Sequence, residues 1–173
     1  VESGELWDLI DSDGVATGET FLRGTPGWPE GRFHLIVATC ICRPDGMVLL
    51  TQRAPGKEFA FGWEFPGGSA LAGESSRVAA SRELREETGI VAAPEDLALV
   101  GRFAEASALL DFYIAAAPAS AALRLQASEV MAAEWVMPDE VEQRITERTM
   151  ALPWDARLRA LWSDAKTAMT TIR

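Results

Sequence analysis

The chain has 173 residues, with 26 acidic side chains against 16 Lys and Arg and a net charge of −10. That balance disfavours a nucleic-acid polymer, which needs a basic surface, but admits a phosphate-bearing small molecule held through a metal ion. No apolar run approaches the ~20 residues that span a bilayer. The opening VESGELWDLIDSDG lacks the basic start and apolar stretch of a signal peptide, so a cytoplasmic location is expected.

In chain order, residues 5–24 read as a hairpin: ELWDLID alternates, SDG turns, and VATGETFLR resumes as a strand. GTPGWPEGR is a loop. FHLIVATCICR, β-branched and apolar from Leu35 to Ile41, reads as a buried central strand. PDG turns it and MVLLTQR returns as its partner. APGKEFAFG is a second loop, and WEFPGG a short strand ending in a glycine pair. A helix starts near Glu74 or Ser75, with Ser75 or Ser76 as cap and Gly89 as the residue that ends it. LALVGRFAE and LLDFYIAAA are two further strands, PASAALRLQASEV a loop and AEWVM a short strand. PDEVEQRIT begins as helices do, with Pro and acids in front. Residues 153–170 form a closing amphipathic helix with Leu158, Leu161 and Trp162 on one side. No repeat or long linker divides residues 1–173, and the length suits one domain with its own core. Strands, a helix, strands and two helices imply a mixed sheet with helices packed on it, an α/β (α+β) chain or α/β/α sandwich.

Cys40 and Cys42 lie two apart, on the same side of a strand. They read as buried thiols. With His34 the only histidine, no zinc-ligand spacing is present.

The chemistry concentrates in Gly68–Ile90. At about 100° per residue, Glu83, Glu86 and Glu87 share one helix face, with Ala79 on the same face leaving it open. Ala80 and Leu84 turn to one side, toward a sheet. Like charges at these spacings repel, and Arg82, four residues before Glu86, offsets only part of that. A solvated acidic face is the plain alternative. A hard divalent cation with oxygen ligands fits better, because Gly67 and Gly68 permit a close backbone approach just before the helix. Glu74 at the helix start suits the dipole and can reach Arg82 or the metal.

Gly68, Glu74, Arg82, Glu83, Leu84, Glu86, Glu87, Gly89 and Ile90 resemble the signature of the Nudix hydrolases, without a departure. QRAPGK, WEFPGG and the later EWV strand also look like the family. The resemblance implies a Nudix-type α/β/α sandwich with a mixed central sheet and a Mg²⁺- or Mn²⁺-dependent attack of water on a pyrophosphate linkage. The substrate it implies is a small-molecule diphosphate, a nucleoside diphosphate linked to another group. Carried over by residue, Glu83, Glu86 and Glu87 are metal ligands, the Gly68 carbonyl another, and Arg82 holds the glutamates. Glu74 is structural or an outer ligand, and Gly89 is structural. A carboxylate must accept the water proton. Glu129, in the loop before the late strand, is the expected base, while Glu134 reads as structural.

The hairpin, His34 and the QRAPGK loop together resemble the subgroup related to isopentenyl diphosphate isomerase. That subgroup implies a double-bond shift as an alternative. WEFPGG, however, lacks the cysteine and nearby histidine that such an isomerase needs. A binding module without activity is a third class, but it would be expected to lose box glutamates. For substrate binding, Arg53 and Lys57 are the expected phosphate contacts. Phe61 and Trp63 are the expected base-stacking aromatics; Phe59 lies near the box with them, Trp28 lies in an early loop, and Trp63 suits the core equally well. Trp154 and Trp162 on the closing helix suit packing on the domain or on a second copy, so a homodimer is an open expectation.

Overall fold

The computed structural model describes residues 4–119 and 122–172. Residues 1–3, 120, 121 and 173 lie outside the described residues, and with them part of the loop expected at 118–130.

Nine strands and three α-helices are formed among the described residues. The hairpin is β1 (Leu6–Ile10) and β2 (Ala16–Leu22), an antiparallel pair that forms its own two-stranded sheet. The larger sheet holds β3 (His34–Cys42), β4 (Val48–Arg53), β5 (Trp63–Glu64), β6 (Gly67–Ser69), β7 (Ala98–Ala104), β8 (Ala108–Ala116) and β9 (Val130–Val136). The helices are α1 (Ser76–Thr88), α2 (Pro138–Thr146) and α3 (Trp154–Met169). The sheet is mixed: β3 runs parallel to β8, while β7 is antiparallel to β8 and β9 to β4.

Burial of both faces explains why β3 and β8 read as nearly unbroken apolar runs. Val37 and Ile41 of β3, with Tyr113 and Ala115 of β8, pack on Ala79, Ala80 and Leu84 of α1. The alternate residues Ala38, Cys40, Leu110, Phe112 and Ile114 pack on Trp154, Leu158, Leu161 and Trp162 of α3. One helix layer therefore covers each face, as expected for the α/β/α sandwich. Cys40 and Cys42 are free and buried, as read, with their sulfurs 3.9 Å apart.

Two departures from the sequence reading matter for the site. MVLLTQR is only nominally the partner of β3: the two strands share one pair, Cys42 with Val48, after which β4 pairs with β9 and β5. The vacated edge of β3 takes β6 instead, Ile36–Ala38 against Gly67–Ser69. WEFPGG is accordingly two strands, broken at Phe65 and Pro66. Phe65 turns into the core, its ring 5.2, 5.3 and 5.7 Å from those of Phe112, Trp154 and Trp162.

Phe65 thus ties the break between β5 and β6 to both β8 and α3. Truncating a buried Phe removes transfer energy and leaves a cavity, at about 3–5 kcal/mol. Phe65→Ala is expected to lose that much in urea unfolding. A loss below about 1 kcal/mol, less than even a mild core truncation, would contradict this packing.

Candidate active site

The helix that carries the glutamates is fixed at both ends by local chemistry. The Ser75 hydroxyl accepts the Val78 N–H, and Gly89 closes the helix in the left-handed region at φ 76°. Ser76, the other expected cap, instead bonds the Asp111 carboxylate and accepts the Tyr113 hydroxyl. The face of α1 differs from the reading in one respect: Ala79 is fully buried with Ala80 and Leu84. The helix therefore packs through Ala79, and only its C-terminal half presents acids.

Arg82 organises those acids. Its guanidinium grips Glu74 through two bonds of 2.7 and 2.8 Å. It also donates to Glu83 at 2.8 Å, to Glu86 at 3.1 Å and to the Ser69 carbonyl at 3.1 Å. The fork geometry of the guanidinium suits such multiple contacts. Arg82 in turn holds the Glu74 carboxyl below the usual carboxylate range. Glu87, on the same wall, is not bonded to Arg82: it is buried and accepts the Gly67 N–H at 3.0 Å.

The glycine pair is required by space. A Cβ on Gly67 would lie 2.1 Å from the Val37 carbonyl oxygen, and one on Gly68 would lie 2.7 Å from the Glu83 carboxylate. Only glycine lets β6 sit against β3 on one side and the acidic face of α1 on the other.

These residues open on a cleft of about 380 Å³. Glu83, Glu86, Glu87, Gly67 and Gly68 form one wall; Arg53, Lys57, Glu64, Glu129 and Arg157 also line it. Burial, first, then the charges of Glu64 and Glu83, push the Glu87 carboxyl well up. Burial also raises Glu64, against the opposing pull of Arg53, and raises Glu83, against that of Arg82. The wall thus carries more carboxylate than its arginines neutralise. Among the described residues no three acidic, His or Cys side chains converge as a finished ligand set. Arg82 draws Glu83 and Glu86 together while the Gly67 N–H holds Glu87. The donor set is all oxygen, which fits a hard divalent cation and not a soft one.

Of the other expected site residues, Lys57 and Glu129 reach the cleft and pair with each other. Arg53 lines the cleft too, but its Nη1 lies 3.0 Å from both oxygens of Glu64 and its Nε donates to the Glu58 carbonyl at 2.6 Å. Arg53 is therefore a brace for a buried carboxylate, not the free phosphate contact expected. Trp63 is outside the cleft, with the Arg144 guanidinium 4.2 Å from its ring centroid. Phe61 is exposed and lies outside the cleft as well; Phe59, two residues earlier, lines it. The backbone is left-handed at both Phe59 and Phe61, φ 53° and 67°, and the loop expected over these residues turns there in a way that nearness to the box in sequence does not reveal. Glu134 pairs with Arg144, in keeping with a structural role.

Several cleft residues escaped the sequence reading. Glu64 sits in WEFPGG, which reads only as a short strand ending in a glycine pair. Arg157 is buried on α3 and donates to Glu105 at 2.5 Å; its helix was read only for its apolar side. Trp7 and Arg23 come from the hairpin. His34 stacks on Trp7 at 4.2 Å and 8°, and its Nδ1–H donates to the Ser107 carbonyl at 3.1 Å. Burial lowers its pKa, favouring the neutral ring.

The crowded carboxylates have a measurable consequence. A carboxyl whose pKa is raised on folding keeps its proton longer in the folded state than in the unfolded chain. Stability then falls as pH rises through the interval above ~4.3, the ordinary Glu value. Glu64, Glu83 and Glu87 all shift that way. A cation that binds only the ionised folded site restores stability by mass action. The Tm gain from 5 mM Mg²⁺ (roughly a saturating level for a weak site) is expected to be larger at pH 7.5 than at pH 5. An equal gain at both pH values, or none at either, would contradict this.

The NUDIX domain family model matches residues 32–160. An uncharacterized Nudix hydrolase of Listeria monocytogenes is 40% identical over 92 residues, 50% of this chain and 52% of that protein. A Haemophilus influenzae protein named 8-oxo-dGTP diphosphatase is 42% identical over 78 residues, 44% of this chain and 57% of its own length. The chain thus spans about half the length of the curated relatives it matches. A crystal structure from Deinococcus radiodurans superposes with a TM-score of 0.76 at 20% identity, over 91% of this chain and 99% of that one, which supports the fold alone. No helix among the described residues is long and apolar enough to cross a membrane. With the matched span and the intact Gly68–Ile90 pattern, the chain belongs to the Nudix hydrolase family.

Proposed function

We propose that the protein hydrolyses the pyrophosphate linkage of a nucleoside diphosphate joined to another group, within a single unit spanning residues 1–173. A nucleoside triphosphate is the simplest such molecule, its third phosphoryl group being the other group. The name of the Haemophilus relative, 8-oxo-dGTP diphosphatase, makes oxidised triphosphates the first to test. The observation that carries the reading is the wall of Glu83, Glu86 and Glu87 beside Gly68, with Arg82 bonded to Glu74, Glu83 and Glu86.

In this reading Glu83, Glu86, Glu87 and the Gly68 carbonyl hold Mg²⁺ or Mn²⁺. When bound, the ion lowers the pKa of water and neutralises phosphate charge. Arg82 sets the glutamates by fixing Glu83 and Glu86 against the Glu74 anchor. Glu129 takes the proton of the attacking water, and Lys57 holds its carboxylate toward the cleft. Lys57 also offers the phosphates a positive charge once Glu129 is protonated. Trp63 and Phe61 lie outside the cleft, which weighs against a substrate role for either.

Two observations favour hydrolysis over the isomerase-like alternative. β5 and β6 carry neither Cys nor His, and Cys40 and Cys42 are sealed in the core. The complete glutamate set also disfavours a binding module without activity. A cytoplasmic setting suits such a substrate, and a homodimer is tested by gel filtration.

A screen of diphosphate-containing metabolites with Mg²⁺, its products coupled to inorganic pyrophosphatase or a phosphomonoesterase and read by phosphate release, is expected to find turnover. Glu86→Gln and Glu87→Gln are expected to lower kcat by orders of magnitude with the fold intact by circular dichroism. Glu129→Gln is expected to lower it by roughly 10²–10⁴-fold, the usual worth of a general base. Near-wild-type rates in the two helix variants would remove them from the metal site. A near-wild-type rate in the Glu129 variant would move the base elsewhere.

A further inference from the structure

Five cationic side chains line the cleft among the described residues: Arg23, Arg53, Lys57, Arg82 and Arg157. Four are committed to partly or fully buried partners. Arg53 grips Glu64, Lys57 pairs with Glu129, Arg82 holds Glu74 and Glu83, and Arg157 holds Glu105. Arg23 differs. Its Nη1 donates to Glu5 at 2.8 Å, and the two side chains are 50% and 44% exposed. Exposed pairs of this kind are weak because water screens them. A phosphate, with more charge and a bidentate match to guanidinium, readily outcompetes such a carboxylate.

The placement of Arg23 favours that exchange. It stands at the open end of the hairpin, one residue past the Leu6–Leu22 pair, and its backbone N–H also donates to Glu5. Its guanidinium lies 5.7 Å from the Trp7 ring centroid, and Trp7 is stacked on His34. This aromatic footing holds the side chain over the cleft. The hairpin itself is tied to the loop that leads into α1. The Ala72 N–H donates to the Leu6 carbonyl at 2.8 Å and the Gly73 N–H to Asp8 at 2.7 Å. Arg23 is therefore held in register with the glutamate wall. Residues 5–24 precede the span of 32–160 that the family model matches.

We propose that Arg23 exchanges Glu5 for a phosphate group of the substrate, making the N-terminal hairpin a clamp that selects for phosphate at that end of the cleft. Glu5 is the competitor that holds the arginine in place when no phosphate is present. This rests on the hydrolase reading for its substrate, though not for the binding event.

The test compares Arg23→Gln, Arg23→Lys and Glu5→Gln in the full chain, with Mg²⁺ and the best substrate from the screen. Arg23→Gln is expected to raise KM roughly ten- to hundredfold, the worth of a hydrogen bond between charged groups, with little change in kcat. Arg23→Lys is expected to recover part of the loss. Glu5→Gln is expected to lower KM by up to about fivefold, since the competing pair is an exposed one. An unchanged KM in Arg23→Gln would overturn the proposal. So would a rise in KM in Glu5→Gln matching that of Arg23→Gln, because the pair would then only hold the hairpin together. If the wild type turns over none of the screened diphosphate compounds, the hydrolase reading fails. Binding of Mg²⁺–tripolyphosphate, followed by tryptophan emission, then decides the clamp alone. Weaker binding in Arg23→Gln than in wild type supports it, and equal binding overturns it.

Discussion

Three carboxylates crowded on one helix face are the constraint around which this molecule is built. Glu83, Glu86 and Glu87 would repel one another and unwind their own turn. Arg82 restrains two of them and is itself anchored by Glu74. The Gly67 N–H restrains the third. Neither device neutralises the wall, because Glu64 adds a further buried carboxyl whose pKa, like those of Glu83 and Glu87, burial drives upward. The charge left over is what a divalent cation and a phosphate-bearing ligand can share.

The sheet is shaped to present this wall. β4 parts from β3 after a single pair, and β6 fills the vacated edge. β6 can do so only because Gly67 and Gly68 have no side chains to strike β3 or Glu83. Phe65 anchors the break in the opposite layer, among Phe112, Trp154 and Trp162. The two helix layers thus hold one loop between them. Packing on the α3 side and charge on the α1 side meet at four residues, Phe65 to Gly68.

What was legible in the sequence follows from this division. The strands β3 and β8 announce themselves by apolar runs, since both faces are covered. The helix α1 announces itself by its cap, its glycine stop and its acid spacing. The floor and ends of the cleft were not legible. Trp63 and Phe61 look like stacking residues by proximity to the box, yet the left-handed backbone at Phe59 and Phe61 turns the loop so that Phe59 alone of the three lines the cleft. Arg53 reads as a free cation until its buried partner Glu64 is seen. Arg157, Trp7 and Arg23 arrive from elements more than 40 residues from the box or from a separate sheet, and no local pattern ties them to it. Ala79 shows the same limit on a smaller scale: spacing placed it with the acids, while packing on the sheet claimed it.

The central proposal is that the α1 glutamates form a divalent-metal site. Mn²⁺ titration followed by electron paramagnetic resonance tests it most directly, comparing wild type with Glu83→Gln, Glu86→Gln and Glu87→Gln. Saturable binding in the wild type, weakened in each variant while circular dichroism stays unchanged, is the expected result. Wild-type Mn²⁺ affinity in all three variants, or no saturable binding in the wild type, would contradict the account.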